Sequence, residues 1–415
     1  MYIDEIVLEN IRGFKNLKFS LKRPDSSYAG LTIFAGDNGS GKSTLLKAIA
    51  IALTGTETAR ALQADFKGWI YHHQKTAKIT LQIKPDDQDG FIEQGKTTKK
   101  LFLTNIDLYA DSDDVRLKSN DTRSSRSLWS SRQGWFACGY GPFRRVFGAS
   151  SDAIRPMTSR TTERFVTMFY EAASLAEVNS WLIGLSHKKL EGKQEASEQL
   201  ELVIDLLNSD LLPNEMTVAR VDSDGVWLKD KNGTELTWNE MSDGYRSVIA
   251  LLADIIRHLI GNGIENTKSK DVILSASGVV LIDELDAHLH PEWQMTIGHW
   301  LKKHFPNMQF LATTHSPLIC QAASENGLFI LPEPGSTNEP RALTPEEYTQ
   351  VIASRSDVIL RSVLFGLQNT RSEKIVEARQ EYAVLAAKQR ANARLTQAEK
   401  TQLQTLESII EAEES

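Results

Sequence analysis

The strongest constraint on the fold is a glycine-rich run that lies between two apolar segments. Residues 36–44 read Gly-Asp-Asn-Gly-Ser-Gly-Lys-Ser-Thr, after the apolar segment 31–35 and before the apolar segment 45–53. The first segment predicts a strand and the second a helix, so the run predicts a tight turn that opens a helix. In such a turn the glycines let backbone N–H groups point inward, and the helix N-terminus adds partial positive charge. The spacing therefore predicts a loop that binds phosphate groups, and we call residues 36–43 the phosphate loop.

The side chains of this loop suit a nucleoside triphosphate with its metal. Lys42 is expected to reach the β- and γ-phosphates, and the Ser43 hydroxyl is expected to ligate Mg²⁺. The other candidate contacts act mainly through their backbone: Gly36, Asn38, Gly39, Ser40, Gly41 and Thr44. The expected cofactors are ATP and Mg²⁺.

Another apolar segment, 279–282, is followed by two acids, Asp283 and Glu284. A short and wholly apolar run is typical of a strand that is buried on both faces. At its end Asp283 is expected to hold a magnesium-bound water, and Glu284 is expected to orient and activate the attacking water. His315 follows a further apolar segment, 309–313, and is predicted to reach a γ-phosphate.

These motifs, together with Asn-Ile-Arg-Gly-Phe at residues 10–14, resemble ABC-type ATPases of the SMC, RecF and OLD-related group. The resemblance implies a signature turn whose Ser and Gly bind the γ-phosphate held by the opposite subunit. Residues 241–245, Met-Ser-Asp-Gly-Tyr, match that turn at Ser242 and Gly244. The turn departs from the common Leu-Ser-Gly-Gly-Gln pattern at Asp243, whose charge would oppose a triphosphate unless the side chain faces away.

Two further positions bear on the resemblance. His290 stands where transporter-like ABC proteins usually carry an aspartate, a form that looks like stand-alone bacterial ATPases. Gln133 is a weak candidate for the magnesium-sensing glutamine of ABC proteins, since it precedes a Gly-Tyr-Gly-x-x-Arg stretch that resembles defence-type ATPases. Arg144, at the end of that stretch, is an equally good candidate for contact with phosphate or nucleic acid.

The expected fold class is α/β, an ABC-type P-loop ATPase head. It combines a mixed sheet flanked by helices with an antiparallel β subdomain, a helical insert and a helical C-terminal tail. The predicted segments are the N-terminal half of the head (1–55), the β subdomain with a basic loop (56–150), the helical insert (151–215), the C-terminal half of the head (216–335) and the tail (336–415).

The resemblance implies a homodimer, or a higher assembly, with ATP sandwiched between subunits and hydrolysis acting as release. It places the chain among ATPases of bacterial anti-phage systems, of the Septu or retron-associated kind, that control a separate nuclease such as an HNH nuclease. The C-terminal helices would dock that partner. The alternative is a RecF- or SMC-like repair or recombination ATPase that acts by binding DNA, and a transporter-type subunit is a third reading.

Charge distribution limits the contact with nucleic acid to a local site. The chain has 47 basic and 54 acidic residues and a formal net charge of −7. The tract from Arg116 to Arg145 nevertheless carries seven basic residues against a single acid, Asp121, and two interleaved tryptophans, Trp129 and Trp135. The basic residues are Arg116, Lys118, Arg123, Arg126, Arg132, Arg144 and Arg145. This tract is a candidate DNA or RNA site, although a solvated loop is the commoner role of a charge run.

Cysteine content and apolar runs bear on the cellular compartment. Cys138 and Cys320 are too few for a disulfide framework or a four-thiolate zinc site, and two buried thiols are expected. The N-terminal acids do not fit a secretory signal, and the apolar stretches 45–53 and 248–260 are too short and too interrupted by charge to span a bilayer. We therefore expect a cytoplasmic protein without membrane insertion.

Overall fold

The structure, a computed structural model, describes the chain except for a set of short gaps. Those gaps are residues 91, 94–95, 98, 112–113, 122–123, 126–127, 130–134, 145–159, 171–174, 261–271, 334–335, 337, 392–394 and 415. The chain divides into two compact units, Met1–Ser356 and Asp357–Ser415.

Strands and helices are numbered here in chain order. The strands are β1 (Tyr2–Ile11), β2 (Phe14–Ser20), β3 (Gly30–Ala35), β4 (Thr76–Lys84), β5 (Ile92–Glu93), β6 (Lys96–Thr97), β7 (Phe102–Ala110), β8 (Val115–Lys118), β9 (Ala137–Tyr140), β10 (Thr217–Asp222), β11 (Gly225–Lys229), β12 (Glu235–Leu236), β13 (Gly278–Ile282), β14 (Met308–Thr313), β15 (Leu328–Ile330) and β16 (Arg341–Ala342). The helices are α1 (Lys42–Leu62), α2 (Arg160–Glu163), α3 (Val166–Phe169), α4 (Ala176–Leu190), α5 (Gln194–Leu207), α6 (Asp243–Ile260), α7 (Pro291–His304), α8 (Pro317–Cys320), α9 (Pro345–Ala353), α10 (Ser356–Leu360), α11 (Glu373–Arg390) and α12 (Gln397–Glu414).

Five antiparallel strands form one sheet in the order β2-β1-β4-β7-β8. Apolar and polar residues alternate along these strands, so that one face is buried and the other meets water. The alternation of apolar and polar residues over 2–9 and 15–21, around the turn-like residues 10–13, predicts a hairpin, and β1 and β2 confirm it; β1 also pairs with β4 over Tyr2–Glu9. The hairpin thus belongs to the same sheet as the strands between residues 76 and 118, which the sequence assigned to a separate segment.

The second sheet has the order β16-β15-β3-β14-β13-β9, and every pairing in it except β15 with β16 is parallel. All residues of β13 and β14 are buried, as expected for strands that are covered on both faces. The predicted strands 279–282 and 309–313 are confirmed, and so is the expected mixed α/β fold class. Because β3, β14 and β13 run in parallel, their carboxyl ends meet at one edge of the sheet.

Helix α1 packs between the two sheets and supplies the centre of the main apolar core. The helix is almost entirely apolar from Leu45 to Leu53, which matches burial against a sheet on each side. It breaks at Gly55, where the Trp129 indole lies against the backbone and donates from Nε1 to the Ala52 carbonyl at 3.0 Å. The predicted helix therefore continues beyond Leu53 with a kink.

A buried glutamine joins the two sheets directly. Gln309 of β14 is fully buried; its Nε2 donates to the carbonyl of Ile3 at 2.9 Å, and its Oε1 accepts from the N–H of Ile3 at 2.7 Å. The pairing of β1 with β4 shifts register between Ile3 and Glu5. The glutamine satisfies both backbone groups at this irregular position.

The described part of the predicted insert is helical. Helices α4 and α5 form a hairpin that packs on α6 and on the three-stranded sheet β10-β11-β12. The Asp-Gly and Asn-Gly pairs at 224–225 and 232–233 predict a hairpin over 216–236, and it is present, with turns at Gly225 and Gly233 and a short third strand. Residues 145–159 and 171–174 of the predicted insert lie outside the described residues.

The second unit contains a helical hairpin, in agreement with the helical tail that the sequence predicts. Helices α11 and α12 pack through a small apolar core of Ala378, Leu385, Leu403 and Leu406. This unit begins at Asp357, so that β16 and α9 belong to the first unit rather than to a tail that starts at 336.

Two expectations about cysteines and membranes can be compared with the structure. Cys138 and Cys320 are both fully buried, and burial raises the pKa of each thiol. In the described part of the chain, no helix is both long enough and apolar enough to cross a membrane.

Candidate active site

The phosphate loop connects β3 to α1 in the predicted strand–loop–helix context. Gly41 caps α1 with a φ of 94°, a left-handed conformation that glycine adopts without strain. A Cβ at this position would lie 2.5 Å from Cζ of Phe14, at the tip of the hairpin of β1 and β2. The hairpin thus packs directly on the loop, and only glycine fits between them.

Lys42 is held inside the loop by the backbone. Its Nζ donates to the carbonyl of Gly36 at 2.7 Å and to that of Asp37 at 2.8 Å, and the residue is 7% exposed. Burial lowers the pKa of Lys42, while nearby carboxylates, Asp283 first and Glu284 next, oppose that shift. The ammonium therefore lies within electrostatic reach of the acidic pair, Asp283 and Glu284.

The loop has the donors that a bound phosphate needs. The Ser40 hydroxyl is buried and has no hydrogen-bond partner among the described residues, which is costly without a ligand. Ser43 is half-buried at the start of α1, and the Thr44 hydroxyl accepts from Arg12 Nη1 at 3.3 Å. Asn38 and Gly39 are exposed at the mouth of the loop. This donor set fits the triphosphate of a nucleotide and its magnesium ion.

The acidic pair follows β13 and is positioned from β14. The Thr313 hydroxyl donates to Asp283 Oδ1 at 2.6 Å, and the Thr313 hydroxyl oxygen accepts from the N–H of Glu284 at 2.7 Å. Asp283 is 2% exposed, whereas Glu284 is half-buried. Glu284 has a φ of 50°, which is left-handed and costs a non-glycine residue about 1–3 kcal/mol. Such strain at an acid beside a phosphate loop is typical of a functional position.

His315 follows the strand that lies between the loop strand and the acidic-pair strand. Its N–H donates to Asp286 Oδ1 at 3.2 Å, and the neighbouring Thr314 hydroxyl donates to the same oxygen at 2.6 Å. Asp286 thus fixes the backbone from which the His315 imidazole projects. The sequence reasoning did not identify Asp286, although its position two residues after Glu284 was the available signal.

Arg144 is a second residue whose place the sequence did not predict. It is 3% exposed, and its guanidinium donates to the carbonyls of Asp283 at 3.0 Å, Glu284 at 2.9 Å and Ala287 at 3.3 Å. Burial lowers its pKa to about 10, and the carboxylates of Asp286 and the acidic pair limit the shift. The structure therefore places Arg144 behind the acidic pair and away from a nucleic-acid surface.

The other described residues of the basic tract contact neighbouring groups of the chain. Arg116 pairs with Asp111 at 2.5 Å, and the Lys118 ammonium lies 5.5 Å from the centre of the Tyr109 ring. Trp135 is 5% exposed and Trp129 packs on α1, so neither offers an open ring for a base to stack on. Arg123, Arg126, Arg132, Arg145 and the candidate sensor Gln133 lie outside the described residues.

The signature turn lies at the start of α6. Ser242 and Asp243 are exposed, and the Asp243 carboxylate pairs with Arg246 Nη2 at 2.6 Å. A Cβ on Gly244 would lie 2.8 Å from the carbonyl of His288, in the loop after the acidic pair. The turn thus contacts that loop and Trp293 of α7.

His290 has a local structural role. Its Nδ1 accepts from the N–H of Glu292 at 3.4 Å, which caps the N-terminus of α7. An aspartate side chain could accept the same bond, so histidine substitutes for it as a helix cap.

The fold and the site together define a class, the P-loop ATPase domains in which a phosphate loop and an acidic pair share one sheet edge. The sequence profile of the family described as "AAA domain, putative AbiEii toxin, Type IV TA system" matches residues 31–321. That range is more than half of the chain, and the chain belongs to this family.

Two curated relatives extend the comparison over most of the chain. The Septu protein PtuA of Bacillus mycoides (strain KBAB4) is 28% identical over 378 residues, which cover 89% of this chain and 45% of the relative. The Retron Ec83 probable ATPase of Escherichia coli is 26% identical over 452 residues, which cover 92% of this chain and 79% of the relative. The chain thus spans about half the length of the first relative. The expected kinship with Septu and retron-associated ATPases is confirmed.

A solved structure is similar in its backbone. The crystal structure of the SmcHead bound to the C-winged helix domain of ScpA is 16% identical, with a TM-score of 0.49, and the match covers 84% of this chain and 100% of that chain.

Proposed function

We propose that this chain is a magnesium-dependent ATPase that uses ATP to switch between assembled and released states. The observation that carries the proposal is the shared sheet edge, where Thr313 links both members of the acidic pair within electrostatic reach of Lys42. The family match and the name of the retron relative support ATP as the substrate.

The chemistry follows from the groups at this edge. The Lys42 ammonium would leave the carbonyls of Gly36 and Asp37 and neutralise the β- and γ-phosphates. Glu284 would accept a proton from water as the water oxygen bonds to the γ-phosphorus. The bond from that phosphorus to the β–γ bridging oxygen breaks, and ADP leaves with the electron pair. The His315 imidazole would donate to the γ-phosphate.

A magnesium ion, held by Ser43 and through a water by Asp283, would neutralise charge on the β- and γ-phosphates. The bond from Thr313 would keep the Asp283 carboxylate oriented toward such an ion.

We propose further that two copies enclose ATP between them. Ser242 is exposed and its turn contacts the loop after the acidic pair, so it is available to a nucleotide held by a second copy. The ion pair with Arg246 would offset the charge of Asp243 beside a triphosphate, which supports this assignment. Each composite site would then combine the phosphate loop of one copy with Ser242 and Gly244 of the other, and ATP would bring the copies together.

The biological setting follows from the relatives. Because Septu and retron proteins match most of the chain, we propose a role in bacterial anti-phage defence, where the ATPase controls a separate nuclease such as an HNH nuclease. The repair alternative requires direct DNA binding, and the buried position of Arg144 removes one of its candidate contacts. Isolation of the complex from the native operon, followed by its intact mass, distinguishes the two: a nuclease partner supports defence, and DNA binding without a partner supports repair.

Two variants test the ATPase. Lys42→Ala should weaken ATP binding about 10- to 100-fold, because a charge-assisted contact is lost. Glu284→Gln should bind ATP normally and turn over below about 1% of the wild-type rate. Lys18→Ala, which alters only an exposed pair with Glu5, is the matched lysine control. Wild-type affinity in the first variant or wild-type turnover in the second would contradict the assignment.

A mixing experiment tests the composite site. Lys42→Ala and Ser242→Arg should each be inactive alone, the first at the loop and the second at the signature turn. An equal mixture should recover about a quarter of wild-type turnover, since half of the dimers then contain one intact composite site. If the mixture stays inactive while both variants still associate, the signature turn does not complete the nucleotide site of the other copy.

A further inference from the structure

A short segment behind the acidic pair connects it to the signature helix. We call residues 140–144 the brace: they follow β9, which runs parallel to β13, with Tyr140 paired to Ile282. The Tyr140 carbonyl accepts from the N–H of Asp283 at 2.8 Å, so the brace begins in direct contact with the acidic pair. The sequence singled out this segment as Gly-Tyr-Gly-x-x-Arg, and the proposed chemistry gives it no role.

The first end of the brace reaches α6. The Tyr140 hydroxyl donates to Asp254 Oδ2 at 2.9 Å, and both residues are buried. Asp254 also accepts from Arg257, at 2.9 Å, and lies 3.3 Å from His258 Nε2. Arg257 in turn pairs with Glu163 at 2.8 Å, so the same cluster fixes α6 against the segment that precedes the insert helices. The position of the Tyr140 hydroxyl therefore depends on the position of α6.

The other end of the brace holds the catalytic backbone. Arg144 donates to the carbonyls of Asp283 and Glu284, the two peptide units that flank the strained Glu284 residue, and to that of Ala287. The three hydrogen bonds that this one planar guanidinium donates fix the path of the loop. A lysine ammonium lacks the fork geometry that makes them possible. The loop also contacts the signature turn, through the carbonyl of His288 against Gly244.

We propose that Arg144 is a positioning residue that aims the Glu284 carboxylate by fixing its left-handed backbone, and that Tyr140 makes this aim depend on the placement of the signature helix. The bonds made by Tyr140 and Arg144 thus couple the turn that receives a partner's nucleotide to the residue that activates water. This inference rests on the proposed ATPase function and adds residues to it.

The test measures ATP turnover and ATP affinity in Arg144→Lys and Tyr140→Phe. Arg144→Lys should lower kcat about 100-fold while KM stays within about twofold of the wild type, because a misdirected base affects chemistry rather than binding. Tyr140→Phe, which removes one oxygen, should lower kcat about 10-fold with the same unchanged KM. Arg341→Lys and Tyr109→Phe, at exposed positions, are the matched controls and should behave as wild type.

A double variant distinguishes positioning from a general structural role. In a Glu284→Gln background the aimed carboxylate is gone, so that adding Arg144→Lys should cause no further loss in single-turnover hydrolysis. Losses that multiply, or a KM that rises as much as kcat falls, would overturn the inference. If Arg144→Lys fails to fold by thermal melting, Tyr140→Phe decides, and an unchanged kcat there also overturns it.

These outcomes separate the inference from the proposed function. A wild-type chain that does not hydrolyse ATP removes the proposed function, and a fully active Glu284→Gln variant removes Glu284 as its catalytic base. A wild-type rate in Arg144→Lys, beside an active wild-type chain and an inactive Glu284→Gln variant, removes only the brace.

Discussion

The Thr313 hydroxyl donates to Asp283 Oδ1 at 2.6 Å and accepts from the N–H of Glu284 at 2.7 Å. One side chain on the neighbouring strand thus fixes the carboxylate of the first acid and the backbone of the second. Thr313 is fully buried, so water cannot replace either bond when the hydroxyl is removed.

Replacement of this hydroxyl should therefore affect both stability and chemistry. Thr313→Val keeps the volume but leaves a buried donor without a partner, and should lower the free energy of unfolding by about 1–3 kcal/mol. ATP turnover should fall about 10- to 100-fold, as measured by phosphate release at saturating ATP. Thr313→Ser retains the hydroxyl and should keep most of the activity. Activity that is kept in Val and lost in Ser would show that the methyl group, not the bond, matters.

The contact of Gly41 with Phe14 predicts a steric and a conformational effect that can be separated. Gly41→Ala places a Cβ against the Phe14 ring and also forces a left-handed residue, so nucleotide binding and stability should both fall. Adding Phe14→Ala should relieve the clash but leave the conformational cost of about 1–2 kcal/mol. Denaturant midpoints and titration with a fluorescent ATP analogue check this. A full rescue by the second change would exclude conformational strain at Gly41.

Because Gln309 bridges the two sheets, we expect a large loss of stability when it is replaced by an apolar residue of similar size. Gln309→Leu leaves the N–H and the carbonyl of Ile3 unpaired, at a cost of about 1–3 kcal/mol for each group. Gln194→Leu, at an exposed position, should change the free energy of unfolding by no more than about 0.5 kcal/mol. Urea unfolding of both variants measures the difference, and equal values would refute the bridge.

Asp254 predicts a pH dependence of stability with a defined sign. Burial by itself raises the pKa of Asp254, but His258, Arg257 and the Tyr140 hydroxyl lower it, with a net value of about 2. A carboxylate with a depressed folded-state pKa stabilises the fold above its unfolded value of 3.8, and loses that effect as the pH falls toward 2. The contribution near neutral pH is about 2 kcal/mol.

The matching measurement compares wild type with Asp254→Asn in urea at pH 7, 5 and 3. The difference in unfolding free energy should be similar at the first two values and smaller at the third, because only the wild type loses an ionised group. A difference that stays constant to pH 3 would mean that Asp254 does not titrate as its contacts require.

Local patterns predicted the parts of the fold in which the sequence neighbours are also structural neighbours. The strand before the phosphate loop, the helix after it and the acidic pair at the end of β13 follow from the apolar runs and their punctuation. The signature helix and the C-terminal hairpin follow from helical spacing in the same way.

Contacts between distant segments were not available from such patterns. The pairing of β1 with β4 joins residues more than 60 positions apart, and β9 lies within the tract that the sequence singled out for its basic residues. Thr313 and Gln309 are polar residues in a buried strand, and their partners come from other strands. Arg144 reads as surface charge because the backbone carbonyls that bind it carry no sequence signal.

A single helix, α1, links the phosphate loop to the basic tract, which it contacts at its break at Gly55. Trp129, from that tract, rests against the break and bonds to Ala52, while the same helix begins at the phosphate loop. The chain has eight tryptophans, and this one is half-buried against the helix that starts at the nucleotide. Its fluorescence, isolated as the difference between the wild type and Trp129→Phe, is therefore an intrinsic optical probe of whether events at either end of α1 reach the other.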